Sequence, residues 1–457
     1  MVKISPMLIR FSVSNFYSFK ETTDFNMLPG NVRRLSNHVY KPTPALETLK
    51  LAAIYGPNGA GKSNLVKAMW YMKTMIAEGW LSPSNNKFQL DPSCIEQPSS
   101  FEIEFALKGS MYVYGFDVQN FEISEEWLYQ TFTKKEDELI FHRYTNGEKN
   151  RLILAENFIK TAEDKLRLQL YEQEMLKPKM LLIKLLSEAK FDFGVVRTAF
   201  EYLSQKWIFI FSQTTKGLVQ NLVSEEAFYA FAQSLIASLQ TGITRLEIET
   251  KDLSMLLPED IAAKEKLAFE EAERNGKQVI SKADGLGNEL LIQRIAGQIV
   301  GRRLLFWHEG AADGARPFVF AQESDGTKRL LELLVAFYRA IKTDAIVVVD
   351  ELERAIHPVL CAALVSKFAE DKQTLGQLIF TTHEAELLDQ NYMRSDEFWF
   401  VEKGQNGESK LTPMSDYKDV RFDLDLHKGY LNGRFGAVPF TGDIRKLQWN
   451  KNAEAQY

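Results

Sequence analysis

From Met7 the residues Leu8-Ile9-Arg10-Phe11-Ser12-Val13 alternate apolar and polar, which predicts an antiparallel strand with one solvated face and a hairpin at the start of the chain. Asn31 to Lys50 scatters Pro, Arg and Asn without period and is expected to form a loop. It leads into the apolar run Leu51-Ala52-Ala53-Ile54-Tyr55, a predicted buried strand, and then into helical spacing from Gly61 to Ile76. Phe101, Ile103 and Phe105, then Tyr112, Tyr114 and Phe116, recur at every second position within Phe101 to Tyr129, so a β-rich lobe is expected there.

From about Ala155 to Ala272 the spacing becomes helical, as in Phe228, Phe231, Leu235 and Leu239, and the charged stretch Glu259 to Arg274 reads as a solvated helix face. Heptads do not persist over several turns, which argues against a long coiled-coil arm. The β pattern returns at Arg302, followed by a helix from Thr327 to about Lys342, the strand Ala345 to Val349, another helix and the strand Gln377 to Thr381. That alternation predicts a parallel sheet. The expected division is 1–150 with the β lobe, 151–300 as a mainly helical insertion, and 301–457 returning to the first unit.

Composition narrows the chemistry. With 457 residues, 45% of them apolar, the chain can bury a large core, and a net charge of −6 supplies no broad basic field for phosphate backbones. Cys94 and Cys361 are the two cysteines, without metal-ligand spacing, which fits a reducing cytosol rather than a disulfide framework or zinc site. The apolar runs Trp207 to Phe211 and Ala345 to Val349 are too short to span a bilayer, and the first residues lack a signal pattern. A cytoplasmic protein without a membrane partner is expected.

Gly56-Pro57-Asn58-Gly59-Ala60-Gly61-Lys62-Ser63 lies between a predicted strand and a predicted helix, the setting a phosphate-binding loop requires. Glycines let the backbone wrap and aim N–H groups at a phosphate, and the helix start adds a favourable dipole. Lys62 would neutralise the β- and γ-phosphates, and the Ser63 hydroxyl would reach Mg²⁺. Ile346-Val347-Val348-Val349-Asp350-Glu351 is an apolar run that ends in two acids. Asp350 would hold Mg²⁺ through a water, and Glu351 would act as general base on the attacking water. Phe380-Thr381-Thr382-His383 ends a strand in an imidazole able to sense a γ-phosphate. In Gln322 to Arg329, before the helix that leads to the acidic strand, Ser324 and Gly326 suit a helix start whose N–H groups can face an anion, although read alone the segment is an ordinary helix cap.

The ordered series GPNGAGKS, ESDGTKRL, VVVDELERAIHP and FTTHE resembles the ABC-type heads of the RecF, chromosome-maintenance and OLD-nuclease lineages, often called AAA-family ATPases. The opening MLIRFSVSNFYSFKE, the stretch PSSFEIEF with EEWLY after it, and YLNGRFGAVP are similar to bacterial RloA-type and abortive-infection ATPases. This resemblance implies an α/β P-loop fold of ABC-ATPase type, with a mixed, largely parallel central sheet, an N-terminal antiparallel β lobe and a helical insertion. It implies ATP and Mg²⁺ as ligands and a homodimer or larger assembly with head-to-tail sites, in which Ser324 and Gly326 act in trans. It also implies His383 as switch histidine, Glu351 as catalytic base, Glu353 and Arg354 in an interface loop, and Gln89 as the magnesium-sensing glutamine.

The signature reads Ser-Asp-Gly-Thr rather than Ser-Gly-Gly-Gln, which argues against a transporter subunit, and the stretch after His383 is too short for a typical nuclease domain. Asp423-Leu424-Asp425 is expected to be the wet face of a strand rather than a metal site. Tyr430 to Pro439 is either a Gly-rich turn or a contact segment. The function expected is an ATP-driven sensor or regulator of a separate effector, nuclease or toxin-like, in a phage-defence system. The alternative is a RecF-like DNA-maintenance ATPase using clusters such as Arg33-Arg34 and Arg302-Arg303, although nucleic acid is not indicated by charge.

Overall fold

The computed structural model describes residues 6–43, 46–79, 86–146, 149–189, 193–211, 218–239, 241–285, 287–310, 314–418 and 424–436. Three larger sheets organise them. The first is antiparallel and seven-stranded, in the spatial order Lys149–Leu154, Glu138–Asn146, Glu122–Thr131, Ser110–Gln119, Ser99–Leu107, Met7–Ser14, Thr23–Asn26. The second runs Trp207–Ile210, Ile346–Val349, Gln377–Thr382, Leu51–Tyr55, Phe398–Lys403, Ser409–Pro413; its first five strands are parallel and its last is antiparallel.

The central strands read as unbroken apolar runs because both of their faces are covered. Ala52, Ile54, Ile346 and Val348 join a core that includes the helix Lys62–Glu78 and the inner face of the seven-stranded sheet. Leu51, Ala53, Tyr55, Val347 and Val349 join a second core with the helices Asp325–Lys342 and Pro358–Glu370. The sheet therefore forms the middle layer, and its strand ends are where chemistry can be mounted. This is the α/β architecture with an antiparallel N-terminal lobe that the sequence predicts.

Three expectations need correction. The strand Met7–Ser14 has no fully solvated face: Leu8, Phe11 and Val13 enter the large core, while Met7 and Ile9 pack with Ala106, Tyr40 and Leu46. The cover comes from 31–50, which is not all loop, since Val39–Thr43 and Leu46–Leu49 pair as a short antiparallel ribbon.

The stretch 151–300 is also not only helical. Helices run between Ala162 and Ser238, but Trp207–Ile210 belongs to the central sheet, and Ile243–Asp252, Val279–Ala283, Glu289–Ile295 and Gln298–His308 form the third sheet, with Arg316–Val319 paired to the last of these. The spacing of Phe228, Phe231 and Leu235 is that of the helix Glu226–Ser238, whereas the strand Ile243–Asp252 after it carries a bulge between Ile243 and Arg245. It brings Ile243 and Leu246, three apart, onto one core, which imitates helical spacing. The charged Glu259–Arg274 is a helix as expected, buried through Ala262 and Phe269 against this sheet. Among the described residues no helix is long and apolar enough to cross a membrane.

Candidate functional site

The candidate phosphate-binding loop, Gly56 to Ser63, joins the strand Leu51–Tyr55 to the helix Lys62–Glu78. Gly59 and Gly61 adopt φ of +79° and +119°, a region open to glycine and strained for side-chain-bearing residues. Gly56 is needed for a different reason: a Cβ there would sit 2.5 Å from the Val401 carbonyl oxygen. Asn58 and Gly59 form the exposed tip. The loop is braced from outside, since Ser409 Oγ donates to the Ala60 carbonyl, Ser409 N donates to Ser18 O at 2.6 Å, and Asn64 Nδ2 donates to Ser18 Oγ at 2.8 Å.

Lys62 is buried, with Nζ donating to the carbonyls of Gly56 at 2.6 Å and Pro57 at 3.3 Å. Burial pushes its ammonium below the ordinary lysine value, against the opposing pull of Glu353, Asp350 and Glu351. Those three acids enter from the neighbouring part of the sheet. Ser63 Oγ donates to Asp350 Oδ1 at 3.1 Å, so residues far apart in sequence meet at the carboxyl edge of the strands.

The acidic side is assembled from several elements. Thr381 Oγ1 donates to Asp350 Oδ1 at 2.7 Å and accepts from Glu351 N at 2.8 Å, which fixes both acids from the adjacent strand. Asp350 N donates to Ile210 O at 2.9 Å, and Leu352 N to Thr381 O at 3.1 Å. Glu351 and Ala355 have φ of +53° and +60°, a strained geometry for non-glycine residues that the surrounding bonds hold in place. His383 is exposed, and its ring nitrogen Nδ1 lies 2.9 Å from Glu353 Oε1.

Ser324 caps the helix Asp325–Lys342, its hydroxyl accepting from Thr327 N at 3.1 Å. A Cβ on Gly326 would meet the Ala355 carbonyl oxygen at 2.6 Å, so the helix start and the acidic turn approach backbone to backbone. One turn later the buried Arg329 donates to the carbonyls of Asp350 at 2.9 Å, Glu351 at 3.0 Å and Phe211 at 3.3 Å. Just before the cap, the buried Glu323 is bonded to His308 Nε2 of the third sheet at 2.7 Å. Thr381, Arg329 and Glu323 were not singled out from sequence. Thr381 lies two positions before His383, and Glu323 and Arg329 fall inside the stretch ESDGTKRL, but their bonds depend on burial and on partners distant in sequence.

The structure thus brings Lys62, Ser63, Asp350 and Glu351 to one edge, with His383 beside them. Ser324 and Gly326 stand at the helix start behind the acidic turn. Gln89 is exposed on the loop whose Phe88 N donates to Asn15 Oδ1, and its neighbour Leu90 packs at Gly407. Asp425 caps the helix Leu426–Leu431 by accepting from Lys428 N at 2.9 Å, a helix end rather than a strand face, and Asp423 lies outside the described residues. Tyr430 and Phe435 are core residues against Phe400, while 437–439 lie outside the described residues.

Ser63 Oγ and Asp350 Oδ1 form a small pair of hard oxygens, and no group of three or more His, Cys, Asp or Glu side chains among the described residues is placed to hold a metal. Such a pair fits Mg²⁺, which takes one or two protein oxygens and fills its remaining positions with phosphate and water. The loop's turned-in backbone and Lys62 suit a phosphate chain.

A family model described as "AAA domain, putative AbiEii toxin, Type IV TA system" matches residues 51–162 and 196–389. Among solved structures, the SMC head domain from Thermotoga maritima is 14% identical, covering 89% of this chain and 98% of its own, with a TM-score of 0.36. An SmcHead bound to the C-winged helix domain of ScpA is 14% identical, covering 89% and 97%, with a TM-score of 0.39. A Smc head domain with an extended coiled coil, bound to the C-terminal domain of ScpA derived from Pyrococcus furiosus, is 12% identical, covering 89% and 96%, with a TM-score of 0.37. No curated protein matches the chain.

Proposed function

The chain belongs to this AAA domain family, an ATPase of ABC type, and from that premise we propose that it hydrolyses ATP to ADP and phosphate and uses the cycle to regulate a separate effector protein in a defence system. The observation that carries the reading is the junction of Ser63 and Asp350 at 3.1 Å, beside the buried Lys62 and the loop of positive-φ glycines. It joins a phosphate cradle to a carboxylate edge, as phosphoryl transfer to water requires.

In this reading the loop amides and Lys62 would bind the phosphates, Ser63 would hold Mg²⁺ with Asp350 acting through a water, and Gln89 is kept as the candidate magnesium sensor. Bound Mg²⁺ would neutralise charge on the phosphates. Glu351 takes the proton of the attacking water, and Thr381 keeps that acid in place through its backbone N–H. His383 faces the terminal phosphate. Ser324 and Gly326 start a helix whose end is open to an anion, and we assign them to the nucleotide of a second copy, so that ATP closes a homodimer and hydrolysis reopens it.

The effector belongs to the proposal through the family description, which names a toxin of a toxin–antitoxin system. Charge weighs against the duplex-DNA alternative, because the net charge is −6 and Arg303 is paired with Glu249 at 2.7 Å. The test is the solution mass of Glu351→Gln with ATP and Mg²⁺, alone and after coexpression with genes neighbouring its own. An ATP-dependent dimer that retains a neighbour's product supports the reading. A monomer under all nucleotide conditions contradicts the assembly, and salt-sensitive duplex binding without a protein partner favours the DNA alternative.

A further inference from the structure

The turn after the two acids carries a third, Glu353, which the proposed cycle leaves without a part. It is 7% exposed, and a single oxygen, Oε1, meets two groups of one residue: the backbone N–H of His383 at 2.9 Å and the ring Nδ1 of His383 at 2.9 Å. The other oxygen, Oε2, is buried with no hydrogen-bond partner among the described residues. A carboxylate withdrawn from water on so few bonds is destabilising, and such a group draws attention to what its charge does nearby.

What lies nearby is the candidate site. Glu353 is foremost among the acids that act on the buried Lys62. On its other side, the Tyr430 hydroxyl is pushed up to about 12, by burial first and then by the Glu353 charge, and Tyr55 is raised in the same way. The imidazole of His383 differs from these buried groups in being 52% exposed, at the carboxyl end of the strand that also carries Thr381. A carboxylate on Nδ1 places the ring proton there and leaves Nε2 as the nitrogen available to a ligand.

We infer that Glu353 is a positioning residue for His383: its Oε1 fixes both the backbone and the ring of the histidine, and so sets which imidazole nitrogen faces the terminal phosphate. This rests on the role given to His383 above. The carboxylate touches neither nucleotide nor water in this scheme; it acts through the imidazole, as the partners of functional histidines do.

The test is a double-mutant cycle in the full-length chain, read as kcat, KM for ATP and the affinity for a non-hydrolysable ATP analogue. Glu353→Gln keeps the side-chain shape and removes the charge. It is expected to lower kcat by about tenfold to a hundredfold, as loss of such a partner does, while KM and analogue affinity stay close to wild type. His383→Ala is expected to be at least as slow, and the double variant no slower than His383→Ala, because the two act as one unit. Nitrogen-15 spectra of the His383 imidazole should show an Nδ1-protonated ring in wild type and a changed tautomer in Glu353→Gln.

Losses that multiply, or an imidazole spectrum unchanged by Glu353→Gln, overturn the inference, since Glu353 would then act on Lys62 or on the fold. If His383→Ala hydrolyses like wild type while Lys62→Ala is inactive, the role of His383 itself falls, and the inference falls with it. Should Glu353→Gln not fold, Glu353→Asp, which retracts the same charge, is measured in its place with the same expected non-additivity.

Discussion

The two halves of the candidate nucleotide site are built in opposite ways. The phosphate half is eight consecutive residues, Gly56 to Ser63, whose shape is set by their own backbone and a strand and helix on either side. The acidic half has no such continuity: Asp350 and Glu351 are held by Thr381 from one strand, by Ile210 from another, and by Arg329 from the helix Asp325–Lys342. The difference teaches that the first half should break through backbone conformation and the second through loss of single side chains.

Backbone strain should give the largest loss. Gly61→Ala puts a Cβ at φ +119°, against Ser409 Oγ and Ser18 Oγ, and is expected to reduce nucleotide affinity by about a hundredfold or more, measured by calorimetry with an ATP analogue. In the assembled half, Arg329→Leu strands three carbonyls and is expected to lower unfolding free energy by about 2–4 kcal/mol, read from urea denaturation. If stability were unchanged, the acidic turn would be held by something other than this helix.

Thr381→Val is a milder break of the same half. The Glu351 N–H loses its partner and Asp350 one of its donors, so kcat should fall by about tenfold with little change in analogue affinity. A loss of affinity equal to the loss of kcat would mean that Thr381 serves the whole site rather than the acids. Smallest of all, Ser409→Ala removes an outer brace of a loop that holds its own shape, and KM should rise by no more than about threefold. A large effect there would show that the phosphate half is not self-contained.

What was legible in the sequence follows the same division. The phosphate loop, the apolar strands around it and the acids at Asp350 and Glu351 could be placed because each is local: a run of side chains, a turn of glycines, a strand end. The resemblance puts Glu353 in an interface loop and Arg329 falls inside ESDGTKRL, but their contacts with His383 and with the carbonyls of the acidic turn depend on burial and on elements that meet only after folding. Of the third sheet only the part from Arg302 shows in the sequence, the bulge beside Ile243 adding a helical interval to its first strand, and the ribbon Val39–Thr43 with Leu46–Leu49 is obscured by the prolines and polar residues of its surroundings. Gln89 follows from the resemblance alone, and the structure places it at an exposed position.

The measurement that bears most directly on the central claim is steady-state ATP hydrolysis by wild type, Lys62→Ala and Glu351→Gln, each paired with ATP binding. The account predicts turnover in wild type, loss of binding and turnover in Lys62→Ala, and retained binding with turnover reduced by about a hundredfold or more in Glu351→Gln. Hydrolysis by both variants at the wild-type rate would contradict it, and the junction of the two halves would then be a feature of the fold without being the seat of the reaction.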